Sequence, residues 1–242
     1  MTPPPIGEQS AAAVIARFLK ARGVQRVYAL CGGHIMPLWM RLDAEGIRIV
    51  DVRDERAAVY MAHAEAQLTG TLGVALVTAG PGVTNAMTGI ANAHVARASV
   101  MVLSGLPPTA QENRGALQDV VHTQLVASLT RYARTVRHPD LVPQELAEAA
   151  ARAQGEGGEP GPVYLDFPVD TLRADVTRAV QLPEMFHPPA ALPLPPHPEA
   201  VRAAVARLWS AKRPLFISGR GAKGAGSALS ALLERLGAAY LD

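Results

Sequence analysis

Asp51-Val-Arg-Asp-Glu55, followed further on by Thr78-Ala-Gly-Pro-Gly-Val-Thr-Asn85, decides the fold. Each segment sits where an apolar, β-rich run stops and a helical pattern starts. Ile47-Arg-Ile-Val-Asp-Val52 alternates as a strand does. Leu72-Gly-Val-Ala-Leu-Val77 is a near-continuous apolar run of the kind shown by buried parallel strands. Ligands of open α/β sheets bind at the carboxyl ends of the strands. A carboxylate at one strand end, beside a Gly-Pro-Gly turn at another, predicts a site with one ionisable group and close backbone approach.

The same order extends in both directions. Ser10 is an N-cap for an amphipathic helix from Ala11 to Arg22, which Gly23 ends. A strand over 24–30, a turn at Gly32-Gly33 and a helix from Met36 to Ala44 follow, with Gly46 as the stop. Strand 47–52 leads to a helix from Glu55 to Thr69. Strand 72–78 leads to a helix reaching Arg97, and Ser99–Ser104 is a further buried strand. Repeated strand–turn–helix units predict an α/β fold: a parallel sheet with helices on both faces. Residues 105–118 read as a long polar loop, and loops of that length in a compact domain are usually functional or mobile. A helix through Leu129, a strand over 133–136, a helix from Pro143 to Gln154 and a strand from Val163 to Phe167 complete this domain, assigned to 1–180.

Prolines crowd the stretch from Pro183 to Pro198, which excludes helix and central strand there. It reads as an extended linker, 181–198. Beyond it a helix (199–210), a strand (214–218), a glycine loop, a helix (226–236) and a strand (238–241) predict the start of a second, Rossmann-like α/β domain, 199–242. The expectation is that the sequence stops inside that domain.

Composition narrows the function classes. The 242 residues are 49% hydrophobic but only 5% aromatic, so the core is aliphatic. A net charge of +2 with scattered arginines gives no electrostatic footprint for nucleic acid. Cys31 is the only cysteine, which suits a reducing cytoplasm. The start lacks the basic-then-apolar order of a signal peptide, and no apolar run approaches a membrane span. A cytoplasmic protein is expected. His63, His94 and His122 are not spaced as metal ligands, so no metal is assigned to this chain.

Alone, Arg53-Asp54-Glu55-Arg56 also reads as a solvated charged turn at a helix start, where acidic residues are favoured. Gly80-Pro81-Gly82 alone reads as a tight turn. Gly219-Arg-Gly221-Ala-Lys-Gly224 fits the glycine fingerprint of dinucleotide folds, with Asp242 near the place of a ribose-binding acid, and equally a structural turn.

Taken together the segments resemble the pyrimidine-binding domain of thiamine-diphosphate enzymes, in the acetolactate synthase and 2-hydroxyacyl-CoA lyase group. The resemblance rests on Cys31-Gly-Gly-His-Ile-Met-Pro37, Asp54-Glu55-Arg56-Ala-Ala, Gly80-Pro-Gly-Val-Thr-Asn85 with Gly89-Ile-Ala-Asn-Ala93, Gly115-Ala-Leu-Gln-Asp119, and Gly161-Pro-Val-Tyr-Leu-Asp-Phe-Pro-Val-Asp170, met in that order. It implies that Glu55 hydrogen-bonds the aminopyrimidine and helps it take the proton from the thiazolium. The cofactor then carries the hard chemistry. It also implies Gly33, Thr78, Pro81 and Asn85 as cofactor neighbours, with Gln118 facing the thiazolium and substrate. His34 is implied as a proton-moving group where synthases have a small residue; a turn histidine without a role is the alternative. Mg²⁺ is implied, held by a Gly-Asp-Gly…Asn motif of a separate diphosphate domain. This chain has no Gly-Asp dipeptide, so that domain is expected in a C-terminal part or a second subunit, within a homo-oligomer. Some members bind FAD in the middle domain, which would place Gly219, Arg220 and Gly221 against a nucleotide.

Met61-Ala-His-Ala-Glu-Ala-Gln67 departs from the family's usual Asp-Gly-Tyr-Ala-Arg pattern, and Arg131 stands where synthases usually carry Lys. The activity implied is acetolactate synthase-like transfer on a 2-keto acid, ahead of a 2-hydroxyacyl-CoA lyase or a 2-keto acid decarboxylase. A dinucleotide-binding oxidoreductase using loop 219–224 and a non-catalytic subunit are the readings from other classes.

Overall fold

The computed structural model describes residues 6–177 and 195–241. Internal contacts divide the chain into two units, Met1–Pro189 and Ala190–Asp242.

The first unit is built on a six-stranded sheet: β1 (Arg26–Ala29), β2 (Arg48–Asp51), β3 (Gly73–Val77), β4 (Val100–Leu106), β5 (Tyr132–Thr135) and β6 (Val163–Pro168). The order across the sheet is β2-β1-β3-β4-β6-β5, and all neighbours run parallel. Parallel neighbours need crossover connections, and these bring helices over both faces. The helices are α1 (Ala11–Ala21), α2 (Met36–Ala44), α3 (Glu55–Thr69), α4 (Pro81–Val95), α5 (His122–Val126), α6 (Val142–Gln154) and α7 (Val169–Arg173).

Two apolar clusters result, one on each face. Val14, Phe18, Leu38, Leu42 and Leu146 meet Val74, Leu76, Met101 and Leu103. Val59, Val83 and Ile90 meet Ala75, Val77, Val100 and Val102 on the other side. Successive side chains of β3 and β4 thus go to opposite cores, as the period of a strand requires. With both faces covered, β3 and β4 are buried along their whole length.

The chain order positions the site. From β1 it runs outward to β2, then returns to lay β3 on the other side of β1. That reversal puts a topological switch point at the carboxyl ends of β1 and β3, the usual ligand position of an open α/β sheet.

The sequence-predicted helices from Met36 to Ala44 and from Glu55 to Thr69 are observed with those bounds. Gly70, at φ 74°, closes α3 in the left-handed region that glycine reaches without strain. Two expectations are corrected. β4 does not end at Ser104 but continues to Leu106, because Gly105 and Leu106 pair with Phe167 and Pro168. The helix expected through Leu129 is only α5, followed by a 3-10 turn over Ala127–Leu129. The connecting loop therefore spans 107–121, with a 3-10 turn at Thr109–Gln111.

In the second unit, α8 (Pro198–Ser210), β7 (Leu215–Ile217), α9 (Gly226–Leu236) and β8 (Ala239–Leu241) form a strand–helix–strand arrangement with β7 and β8 parallel. None of its described residues is buried, and Trp209, Leu215 and Ile217 are exposed. Most of the proline-rich stretch, and Asp242, lie outside the described residues. No helix among the described residues is long and apolar enough to cross a membrane.

Ser10 starts α1 as the sequence predicts: its Oγ accepts the Ala13 N–H at 3.2 Å, and the residue is fully buried. Ser10→Ala leaves that donor unmet and should cost about 1 kcal/mol. A urea titration should show a lower unfolding midpoint with an unchanged slope. An unchanged midpoint would refute the cap.

Candidate active site

Glu55 opens α3 at the carboxyl end of β2 and is 8% exposed. The charged turn around it is sorted by burial. Arg53 pairs with Asp51, and Arg56 with Asp54, at the surface. Asp54 is the N-cap, accepting the Arg56 N–H at 2.8 Å. Glu55 alone turns inward, where Asn85 Nδ2, one turn into α4, donates to its Oε2 at 3.1 Å. Of the four charges at Arg53–Arg56, three are at the surface and that of Glu55 is buried.

The Gly80-Pro81-Gly82 turn carries β3 into α4. Gly80 has φ 63° and packs on the Gln118 loop: a Cβ here would lie 2.8 Å from Gln118 Cβ. A Cβ on Gly82 would lie 3.0 Å from Thr78 Cγ2 and 3.5 Å from Glu55 Oε1, so glycine keeps open the space beside the carboxylate. Thr78 Oγ1 is buried with no hydrogen-bond partner among the described residues. After β1, the 3-10 turn Gly33–Ile35 brings His34 Nδ1 within 3.0 Å of Gln118 Oε1. With that oxygen as acceptor, Nδ1 carries the hydrogen, and in a neutral imidazole Nε2 keeps its lone pair. Gln118 itself has φ 65°, a left-handed backbone uncommon for a side-chain-bearing residue.

Glu55, Thr78 and Asn85 thus gather around the Gly80–Gly82 turn, and His34 and Gln118 pair beside it. Gly33 is exposed and nothing crowds its Cβ position, whereas a Cβ on its neighbour Gly32 would lie 2.4 Å from Thr78 Cβ. Pro81 is exposed at the first turn of α4.

Sequence reasoning set His122 aside. It is 1% exposed and lies under the turn. The Gly80 N–H donates to His122 Nε2 at 2.8 Å, and His122 Nδ1 is 3.1 Å from Asp166 Oδ2. Tyr164 donates its hydroxyl to the same carboxylate oxygen at 3.0 Å. Burial, and then Asp166, push the Tyr164 hydroxyl well above its ordinary value, so it keeps its proton. Among the described residues no cluster of His, Cys, Asp or Glu could hold a metal.

In the second unit the loop Arg220–Ala225 is a 3-10 turn. Gly219, Gly221 and Gly224 have neither positive φ nor any atom close to a Cβ position, so this unit's own packing does not demand glycine there.

A carboxylate, a threonine hydroxyl and Gly82 come together at a topological switch point of an α/β sheet, the usual ligand position of such folds. Residues 9–126 match the model of the "Thiamine pyrophosphate enzyme, N-terminal TPP binding domain" family. The chain is 45% identical over 159 residues to 2-hydroxyacyl-CoA lyase 2 of Bos taurus, covering 65% of this chain and 25% of that protein. It is 34% identical over 232 residues to a "Probable 2-ketoarginine decarboxylase AruI" of Pseudomonas aeruginosa, covering 95% and 41%. It is also 34% identical over 224 residues to a "Probable acetolactate synthase" of Mycobacterium bovis, covering 89% and 39%. Over residues 9–126 the first unit carries the N-terminal domain of the thiamine pyrophosphate (thiamine diphosphate) enzyme family. It spans 25% of the length of the lyase it matches.

Asp54 offers a pH test of the local geometry. Hydrogen bonds from the Arg56 side chain and backbone hold its carboxyl at about 2, below the ordinary 3.8. A depressed value means that its contribution to stability is present above 3.8 and lost as pH falls towards about 2. Carboxyl-carbon NMR should place the Asp54 midpoint near 2, and Arg56→Ala should raise it towards 3.8. A midpoint near 3.8 in both proteins would contradict the pairing.

Proposed function

We propose that this chain is the cofactor-activating front part of a thiamine-diphosphate enzyme that makes or breaks a C–C bond next to a carbonyl. The observation that carries this is the buried Glu55 carboxylate, held on one oxygen by Asn85 and facing a glycine-lined space on the other.

The residues fit an aminopyrimidine. Glu55 Oε1 is placed to share a proton with a ring nitrogen, and burial removes the water that would compete for it. Asn85 fixes the carboxylate plane. Thr78 Oγ1 offers a buried partner, and the Gly82 position leaves room for a flat ring. The bound cofactor supplies an electron sink beside the carbonyl carbon. His34, with Nδ1–H given to Gln118, presents Nε2 as a base for a substrate hydroxyl, and Gln118 orients it. Anionic phosphates require a cation and its oxygen ligands. Those are proposed to come from a diphosphate domain elsewhere in the polypeptide or in a second subunit, with Mg²⁺ and within a homo-oligomer.

Between the activities in the family, the lyase reading is preferred to the acetolactate synthase-like one. Identity to 2-hydroxyacyl-CoA lyase 2 is 45%, against 34% for the synthase over a longer span. His34 supplies the base that removal of a hydroxyl proton calls for. The substrate class proposed is therefore a 2-hydroxyacyl-CoA thioester, with 2-keto acids as the alternative. A nucleotide at Gly219–Gly221 is supported only by the loop's glycines.

Glu55→Gln in the complete native polypeptide should reduce thiamine-dependent turnover by about 10²–10⁴-fold, the usual range for loss of a general acid–base group. Turnover within a few-fold of the wild type would sink this reading. Assaying 2-hydroxyacyl-CoA cleavage beside acetolactate formation from pyruvate separates the two activities.

A further inference from the structure

His122 reaches across the domain to the turn that flanks Glu55, and nothing in the cofactor chemistry assigned above uses it. It begins α5, four residues after Gln118, so it is also the end of the loop that carries Gln118. Its two ring nitrogens face opposite ways. The Gly80 N–H can only donate, so Nε2 must be an acceptor and carries no hydrogen. The hydrogen is therefore on Nδ1, which donates to Asp166 Oδ2. The pair is a directed hydrogen bond between a neutral imidazole and a carboxylate.

Asp166 is fixed in turn. It lies on β6, where it pairs in register with Ser104 of β4, and is fully buried. Two donors, Tyr164 and His122, converge on its Oδ2, while Oδ1 is buried and has no partner. A carboxylate used through one oxygen sets direction: it holds the imidazole in the tautomer that accepts from Gly80. The adjacent glycine of β4, Gly105, packs on the backbone of His34, 2.4 Å from a Cβ position to His34 O. The contacts then close a circuit. Asp166 holds His122, His122 holds Gly80, Gly80 packs on Gln118, Gln118 accepts from His34, and His34 rests on β4 beside β6.

We propose that His122, oriented by Asp166, is a positioning residue of the site: its Nε2 clamps the Gly80 turn and thereby fixes the Gln118 loop against the Glu55 cluster. The proposal rests on the function proposed above, because it assigns His122 a role in that same site. A buried backbone donor needs an acceptor in any event, so stability alone would not distinguish positioning from simple satisfaction of the donor. The separating readout is kinetic.

The test uses the complete native polypeptide with thiamine diphosphate and Mg²⁺, comparing His122→Phe, His122→Gln and Glu55→Gln. Phenylalanine keeps the bulk and removes the acceptor. Glutamine can put an oxygen near the place of Nε2. The expected result for His122→Phe is a kcat lower by on the order of 10- to 100-fold at saturating cofactor. Substrate KM should be little changed, apparent cofactor Kd should rise, and His122→Gln should recover most of the loss. A folded His122→Phe enzyme with native kcat and cofactor Kd overturns the proposal, even if its melting temperature falls. Failure of Gln to recover activity overturns it as well. If the Phe variant does not fold, His122→Asn replaces it: the shorter amide falls away from Gly80, so lost turnover supports the clamp and native turnover overturns it. Native activity in Glu55→Gln would instead overturn the function on which the proposal rests, which keeps the two failures apart.

Discussion

Glu55 puts a carboxylate at 8% exposure, and a buried carboxylate is tolerated only where donors meet it. Asn85 is that donor, and it stands on another helix. For the two to touch, α3 and α4 must start at the same edge of the sheet and lie side by side. The chain meets this by sending both crossovers over the same face, where Val59, Val83 and Ile90 share one apolar cluster. Gly89 lets the helices close up, since a Cβ there would lie 2.6 Å from Val59 Cβ. The helix N-terminus adds a favourable field for the negative charge. The strand order, with its reversal at β1, follows from the same requirement.

A second layer stiffens this arrangement from the other half of the sheet. β4 and β6 pair over six residues, from Met101↔Val163 to Leu106↔Pro168. Their carboxyl ends carry Ser104, Gly105 and Asp166. From there His122 and His34 reach back to Gly80 and Gln118. Segments far apart in the chain are so joined by short polar contacts, each directional, buried at His122 and half-buried at His34 and Gln118. Such a network loses much when any member is left unpaired, and Gly80 of the turn beside Glu55 is one of its members.

Much of the fold was legible in the sequence because its punctuation is local. Gly23, Gly46 and Gly70 end helices at positive φ, and Pro81 starts one. The helices Met36–Ala44 and Glu55–Thr69 were bounded correctly for that reason. Where local signals compete with pairing, the reading slipped. Gly105 looks like the start of a loop, yet it is strand because Phe167 sits opposite. Glu55, Asn85, Gln118 and His34 were singled out from their motifs, and the Glu55–Asn85 and His34–Gln118 contacts are structural results. Adjacent glycines look alike in sequence; only the position of Thr78 shows that Gly32, and not Gly33, is the closely packed one. His122 was missed because its partners lie 42 and 44 residues away, and no local pattern marks a histidine that accepts a distant backbone N–H. The glycine loop of the second unit shows the converse: a clear local pattern whose packing reason is not found within that unit.

The central claim is that the crevice at β1 and β3 is shaped for the aminopyrimidine of thiamine diphosphate. The most direct test is to denature the complete native polypeptide, purified with Mg²⁺ present, and to quantify the thiamine diphosphate it releases. The account predicts cofactor stoichiometric with the chain, or taken up to that level when thiamine diphosphate is added back. Protein that releases none, and binds none under those conditions, would contradict it.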